Sequence, residues 1–182
     1  MLTMQTSERK LAELILYISQ QYANDPGYGS VKLNKALFFP DFSAFASWGE
    51  TITGAQYQHQ PEGPTVVRML PVLNALKEEG SIAIQPIDRF GFVQKRPVNL
   101  RDPDLIHFNG REIALVDAWL EKLRPMNAKE ISDFSHDTAG WRTTRNGEII
   151  KPGTVFIGWR GPTTSEIIRG QELATLHGLL AS

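Results

Sequence analysis

Four histidines are the residues of this chain that could most readily bind a metal or transfer a proton. His59, His107, His136 and His177 include no i, i+4 pair, and the chain has no H-E-x-x-H motif. It also lacks a G-x-S-x-G nucleophile elbow, a Walker A motif and a G-x-G-x-x-G fingerprint. Serine, histidine and aspartate do occur, but a catalytic triad is recognised by geometry rather than by composition. The sequence therefore predicts no metal site, no cofactor and no enzymatic activity.

Asp41 and Asn34 are polar residues within an unusually apolar segment. Their separation of seven residues places them on the same face of a helix. We expect Asp41 to be a buried carboxylate that accepts backbone N–H groups from the Thr51–Gly54 loop or pairs with a lysine. The alternative is a contact residue in a groove. Lys32 and Lys35 precede the apolar residues. Lysines near a helix start usually lie on a solvated face or snorkel, and these two could also meet an acidic partner surface; the sequence leaves these alternatives open.

His136 and Trp141 form a second group of interest, in the segment S-H-D-T-A-G-W. A tryptophan placed just after a helix commonly covers the edge of the core while its N–H finds an acceptor. The same pair could anchor a protein interface, since tryptophan is enriched at binding hot spots. The pattern favours the structural role and leaves the interface role open.

Arg68 invites a DNA-binding interpretation. It lies near the start of a predicted third helix that is followed by a predicted hairpin, which is the element order of a winged helix. The exposed positions of that helix are few and not basic, because Asn74, Lys77, Glu78 and Glu79 include two acids. Such a shape would fit protein contact better than the major groove of DNA.

The composition narrows the class of protein. A chain of 182 residues that is 41% hydrophobic can build one domain around one core. The net charge of −1 and the scattered Lys and Arg residues provide no basic stripe for nucleic-acid phosphates. The chain has no cysteine, no apolar stretch near the roughly 18–20 residues of a membrane span, and a polar N-terminus unlike a signal peptide. We therefore expect a cytoplasmic protein without membrane contact, and nucleic acid is not favoured as a partner.

The apolar spacing predicts a central helix that would position these residues. Over residues 30–48 the apolar side chains point in nearly every direction around the axis, which is typical of a helix buried on all sides. A first helix over 7–22 carries a single apolar stripe, and a third helix is predicted to begin at Gly63-Pro64. We therefore expect the other elements to pack around residues 30–48.

The second half of the chain is predicted to combine short helices with two hairpins. Asn109 and Asn127 each have a glutamate three residues later, which is the spacing of a capping box that begins a helix. The other predicted elements are a hairpin of strands 81–85 and 90–94 connected by Ile87–Arg89, a second hairpin over 148–157 that turns at Pro152-Gly153, and a last helix from about 163 to 180.

These elements together predict an α+β fold that is mainly α. It would have five to six helices around a central apolar helix, with two small β-hairpins. We expect a single domain over 1–182, with a core motif region at 30–141 and a C-terminal hairpin and helix at 148–180.

Four elements in a fixed order form the most specific pattern of this chain. They are Lys32–Phe42, Ile52–Tyr57, Glu62–Pro64, and Ala128–His136 followed by Trp141. They are similar to K-L-x-K-L-L-Y-F-A-D, I-T-G-x-x-Y, the end of Y-G-P-V, and A-x-E-L-S-x-x-S-H with a later tryptophan. Pro40, Glu62 and Thr65 stand where alanine, an aromatic residue and valine are usual. By these elements the chain resembles the Panacea-domain, SocA-like antitoxin family.

The resemblance implies a function in protein binding rather than catalysis. Members of this family, from prokaryotes and phages, are typically antitoxins encoded beside a toxin that they bind and neutralise. One member delivers its toxin to an ATP-dependent protease. The resemblance therefore implies a cognate toxin, encoded by the adjacent gene, as partner. The signature elements would supply the toxin-binding residues Asp41, Tyr57, His59, Arg68, His136 and Trp141. The alternative is a winged-helix-like, DNA-binding transcriptional regulator.

Overall fold

The computed structural model describes residues 6–89, 91–157, 164–165 and 168–169. Within these residues the chain forms six α-helices and two small antiparallel sheets, which confirms the predicted mainly α, α+β fold. The helices are α1 (Thr6–Gln21), α2 (Ser30–Trp48), α3 (Met69–Glu78), α4 (Gly110–Leu123), α5 (Ala128–His136) and α6 (Ala139–Arg142). The strands are β1 (Tyr57–Gln58), β2 (Thr65–Val66), β3 (Ile82–Arg89), β4 (Phe92–Asn99) and β5 (Ile149–Ile150), and a 3₁₀ helix follows at Pro152–Phe156.

Helix α2 lies at the centre of these elements, as its all-round apolar pattern predicts. It packs against α1, α4, α5, β2, β4 and the 3₁₀ helix. Its residues from Lys32 to Phe42 are all buried, including the internal Pro40. The helix ends at Gly49, whose left-handed φ of 82° lets its N–H donate to the Phe45 carbonyl oxygen at 2.9 Å.

Lys32 is buried rather than on the solvated face that is usual for a lysine near a helix start. Its ammonium group forms an ion pair with Asp25 at 2.7 Å and donates to the carbonyl oxygens of Arg124 and Met126, both at 2.8 Å. These carbonyl groups lie just past the end of α4, where the helix leaves acceptors without partners. Lys32 therefore fastens the start of α2 to the α4–α5 connection.

The two predicted capping boxes are both confirmed. The Asn109 side chain accepts the Glu112 N–H at 2.9 Å, and the Glu112 carboxylate accepts the Asn109 N–H at 3.0 Å. Asn127 and Glu130 form the same reciprocal pair at the start of α5. Each box supplies partners for N–H groups that a helix start leaves open, and therefore fixes where α4 and α5 begin.

A three-stranded antiparallel sheet with the order β2-β1-β5 packs against α2 through β2. Tyr57 pairs with Val66 on one side and with Ile150 on the other. The Val66 N–H also donates to Asn34 Oδ1 at 2.9 Å, which holds this segment extended. The predicted helix start at Gly63-Pro64 is therefore wrong, because the chain forms β2 before it enters α3.

The predicted second hairpin over 148–157 is also wrong. Ile149–Ile150 does form a strand, but its partner is β1 rather than the residues that follow. Pro152–Phe156 forms a 3₁₀ helix, with proline at the first position, where its missing N–H costs little. Ile149–Ile150 thus pairs with the edge of β1, and not with the nearby residues that the turn signal at Pro152-Gly153 indicated.

Strands β3 and β4 form the predicted first hairpin, but each strand is longer than predicted. Arg89 pairs with Phe92, so the chain reverses between these two residues. Ile87–Arg89, predicted as the connection, belongs to β3 instead. Gly91 has a φ of 85°, in the left-handed region that two-residue hairpin turns commonly require.

The predicted last helix over 163–180 falls largely outside the described residues. Only 164–165 and 168–169 of that stretch are described, and these four residues are helical. Among the helices that the structure describes, none is long and apolar enough to cross a membrane.

Gly63 lies where the loop before β2 rests directly on α2 and α5. Its φ of 95° is in the left-handed region, and its N–H donates to the Gln60 carbonyl oxygen at 2.8 Å. A Cβ at this position would overlap Ser135 Oγ and would lie 2.8 Å from Lys35 Cε. Glycine is therefore required both for the backbone conformation and for the space.

Gly63→Ala is expected to lower the free energy of unfolding by about 2–4 kcal/mol, because a left-handed alanine is strained and its methyl group overlaps Ser135. Gly80→Ala is the matched control. Gly80 has a φ of 70° with no neighbouring atom within 4 Å of a built Cβ, so only the backbone penalty of about 1 kcal/mol applies. Urea unfolding, followed by circular dichroism, measures the free energy of unfolding of both variants. Equal effects would contradict the tight packing at Gly63.

Candidate functional site

Asp41 is a fully buried hydrogen-bond acceptor. Its Oδ1 accepts the Thr53 backbone N–H at 2.9 Å, while Oδ2 accepts the Thr53 hydroxyl and the Tyr57 hydroxyl, the latter at 2.7 Å. Burial raises the pKa of Asp41, and these three donors oppose that rise. The expectation that Asp41 accepts from the Thr51–Gly54 loop is confirmed. The carboxylate fixes this loop and the first residue of β1.

Tyr57 is buried beside Asp41 and places the residues that follow it. Its ring meets Phe38 and Phe42 of α2 edge-on, with centroids 5.4 Å and 5.6 Å away. Burial and the neighbouring Asp41 carboxylate raise the pKa of its hydroxyl well above the ordinary value, so it remains a donor. Because Tyr57 begins β1, its fixed position also determines where His59 emerges, two residues later.

Trp141 lies between two imidazole rings, and we call this arrangement the aromatic stack (His59, Trp141, His136). The Trp141 ring is 4.3 Å from His59 with an interplanar angle of 20°, and 3.9 Å from His136 with an angle of 18°. The indole N–H donates to the Gln60 carbonyl oxygen at 3.3 Å, as the sequence predicts for a tryptophan at the core edge. All three rings are half-buried. The structure thus unites three of the predicted site residues.

The two histidines of the stack differ in their hydrogen bonding. His59 Nδ1 is within hydrogen-bond distance of the Trp141 carbonyl oxygen at 3.1 Å and of Thr144 Oγ1 at 3.2 Å. His136 Nε2 is buried and has no partner in the described part of the chain. Burial, with a further contribution from the Lys35 charge, lowers the pKa of His136. His136 is therefore neutral at pH 7.

Lys35 is a buried cation close to the stack. Its side chain is 1% exposed, and no hydrogen-bond acceptor or carboxylate among the described residues pairs with its ammonium group. Burial lowers the pKa of Lys35 to about 8, and the more distant Glu62 opposes this only in part. Lys35, like Lys32, therefore does not lie on a solvated face. Burial of the charged form destabilises the fold, and groups whose pKa is shifted in this way are concentrated at functional sites.

The burial of Lys35 is the feature of this region that the sequence interpretation missed. The sequence did contain a signal for this burial. Helix α2 is apolar on all sides, so a lysine in its middle has no polar face on which to lie. The tight approach of Gly63 to Lys35 could not be predicted, because it depends on the loop that returns from β1.

Arg68 lies apart from the stack, at the start of α3. Its guanidinium Nε is 2.5 Å from a carboxylate oxygen of Glu8 on α1, and its side chain is 63% exposed. Together with Thr53 and Gln56 it lines a cavity of about 350 Å³. Arg68 therefore joins the start of α3 to α1, and it lies apart from the aromatic stack.

An apolar cavity of about 440 Å³ lies between α2, α4, α5 and the 3₁₀ helix. Phe39 stacks on Trp119 with a centroid distance of 4.7 Å, and Phe134 is 5.0 Å from Phe39. The Trp119 N–H donates to Ser43 Oγ at 2.9 Å, so the only polar atom of that ring has a partner. The walls therefore offer apolar contact and few polar atoms to a ligand.

Metal binding finds no support in the residues that the structure describes. No group of three or more His, Asp or Glu side chains comes close enough there to hold a metal ion. The chemistry of the site is instead that of stacked aromatic rings, one buried cation and one buried, unpartnered imidazole nitrogen.

Comparison with known proteins identifies one family. A family model described as Antitoxin SocA-like, Panacea domain, matches residues 33–142, which is more than half of the chain. The match runs from α2 to the end of α6, so it includes Lys35, Asp41 and the whole aromatic stack. No curated protein and no solved structure gave a match.

Asp41→Ala is expected to lower the free energy of unfolding by about 3–5 kcal/mol, because it leaves three buried donors of Thr53 and Tyr57 without their acceptor. Tyr57→Phe is the matched control, since it removes one donor and keeps the carboxylate; about 1–2 kcal/mol is expected. Urea unfolding measures the free energy of unfolding of both variants. A smaller loss for Asp41→Ala than for Tyr57→Phe would contradict the central place of the carboxylate.

Lys35→Met is expected to stabilise the protein at pH 7. The pKa of Lys35 is about 8 in the fold and 10.5 ordinarily, so the unfolded chain binds the proton more tightly between these values. The charge penalty, at most about 3 kcal/mol, is fully present below pH 8 and is lost as the pH rises towards 10.5. The advantage of Lys35→Met in urea unfolding should therefore shrink between pH 7 and pH 10. A constant difference would contradict the lowered pKa.

Proposed function

This chain belongs to the SocA-like antitoxin family with the Panacea domain, and we propose that it neutralises a cognate toxin by binding it directly. The observation that carries this proposal is the family match over residues 33–142. The proposed mechanism is stoichiometric occlusion of a toxin encoded by the adjacent gene. Occlusion requires no catalytic step, and we assign no catalytic residue.

We place the main toxin contact at the aromatic stack. Its three rings are already ordered against one another, so binding would restrict little further side-chain freedom. Tryptophan between two imidazoles offers a rigid, amphipathic surface of the kind that dominates binding energy. His59, His136 and Trp141 are the proposed contact residues at this place, and the exposed Arg68 is a separate proposed contact.

Asp41 and Tyr57 have a different role in the proposal. Both are fully buried, so they would act by holding the loop and β1 in place rather than by touching the toxin. Lys35 would act through its charge. A cation in a low-dielectric interior is screened less than a surface charge, so it favours an acidic partner surface over a basic one.

Delivery of the bound toxin to an ATP-dependent protease is a second proposed outcome of the same contact. Occlusion alone would leave the amount of toxin in the cell unchanged, whereas delivery would shorten its lifetime. The half-life of the toxin, with and without this protein, therefore separates the two outcomes.

A DNA-binding regulator is the second candidate function. The observation in its favour is that α3 is followed directly by the β3–β4 hairpin, the element order of a winged helix. Against it, α3 exposes Leu70 and carries Glu78 and Glu79 near its end, which does not suit a phosphate backbone. Promoter binding that weakens steeply with salt would favour this candidate.

Co-expression with the product of the adjacent gene tests the antitoxin proposal. That product alone should arrest growth, and this protein should restore growth and co-purify with it. Trp141→Ala is expected to weaken the complex at least about tenfold, because it removes the central ring of the stack.

Trp48→Ala is the matched control for this experiment. Trp48 is also half-buried, but it lies at the end of α2, where it contacts Arg111. Its replacement should leave the affinity within about twofold of the parent. A harmless neighbouring product, together with no co-purification, would refute the antitoxin function.

A further inference from the structure

A groove runs between α3 and the β3–β4 hairpin and has a volume of about 380 Å³. Leu70 and Leu73 of α3 form one wall, and Ile84 and Val93 of the hairpin form the other. Leu70 is 68% exposed and Val93 is 66% exposed, so the large apolar side chains at the mouth face solvent. Exposed apolar side chains grouped in a concave surface mark a binding site more often than scattered ones do.

The rim of this groove is positively charged. Lys77 of α3 and Lys95 of β4 both line it, and Glu78, Glu79 and Asp88 do not. Neither lysine forms an ion pair with a described residue. The apolar floor is therefore bordered by two cations that are available to a partner.

The groove continues into a second cavity of about 700 Å³, since Ser30, Val93 and Lys95 line both. This second cavity reaches the start of α2, where Gly29 provides no side-chain cap for the helix. The unpaired N–H groups of a helix start favour negative charge. One end of the combined surface is thus apolar, and the other end attracts carboxylates.

Strand addition to the hairpin is disfavoured by two prolines. In the β3–β4 register, Pro86 lies opposite Lys95, and Pro97 lies opposite Ile84. Counting from the Arg89–Phe92 pair that closes the turn, both prolines fall at pairs that exchange no hydrogen bonds, so their nitrogen atoms face the outer edges. Each edge therefore lacks an N–H that an added strand would need. A partner would bind through side chains.

We propose that this groove receives an amphipathic segment of the toxin, whose apolar side chains fill the α3–hairpin wall and whose carboxylates meet Lys77, Lys95 and the start of α2. The inference rests on the proposed antitoxin function and adds a second contact to it. An apolar floor gives a phosphate backbone no donors, so the lining favours a protein segment over duplex DNA. The charge of the rim requires that the segment be acidic.

Two substitutions in the groove test the inference on the complex with the adjacent gene product. Leu70→Asp places a charge on the apolar wall, and Lys95→Glu reverses the charge where the two cavities join. Each is expected to raise the Kd at least about tenfold, and the effect of Lys95→Glu should diminish at high salt. Hydrogen exchange should slow over 69–78 and 84–97 when the complex forms.

Ile106→Asp and Lys151→Glu are the matched controls. Ile106 is 80% exposed and Lys151 is exposed, and neither lines the groove or its continuation. Both variants should bind within about twofold of the parent, and circular dichroism should show all four variants folded.

The outcomes separate this inference from the function on which it rests. If the parent forms no complex, the antitoxin function fails and the inference fails with it. If the parent forms the complex but the groove variants bind as tightly as the controls, only the inference is overturned. If the groove variants instead abolish binding to a promoter duplex and leave the toxin complex intact, the groove is a DNA site and the inference is likewise overturned.

Discussion

Helix α2 is enclosed on all sides, so each polar group that it carries must find partners in an element that wraps around it. Lys32 reaches the end of α4, Asn34 holds β2, and Asp41 holds the loop before β1. Each of these side chains fixes a different part of the surrounding chain. Lys35 is the exception, because it is equally buried and has no partner among the described residues. The fold is thus organised by three satisfied polar groups and carries one that is not.

The parts of this fold that could be predicted from the sequence are those whose signals lie within a few residues. The bounds of α2 follow from local breakers and from apolar residues on all sides of the helix, and the starts of α4 and α5 follow from capping boxes. The sheet β2-β1-β5 could not be predicted in the same way. Its strands have two residues each, and Tyr57 finds Ile150 far along the chain, so neither strand has a periodicity of its own.

In the candidate site, too, contacts between residues close in sequence could be predicted, and contacts between distant residues could not. His136 ends α5 and Trp141 lies within α6, five residues later, so their association could be expected from their closeness in sequence. The position of His59 against Trp141 depends on the long return of the chain, and the burial of Lys35 depends on Gly63. The family match covers all of these residues.

The pairing of β1 with β5 also affects when the aromatic stack can form during synthesis and folding. During synthesis, β1 and His59 leave the ribosome long before α6 and Ile150 exist, so the stack cannot close on a partial chain. Joining segments so distant in sequence carries a loop-closure entropy, which makes it a late step in folding. Until then one edge of β1 stays open to other chains. A surface that depends on this closure forms only after residue 150 has been synthesised, and folding topology sets how long that takes.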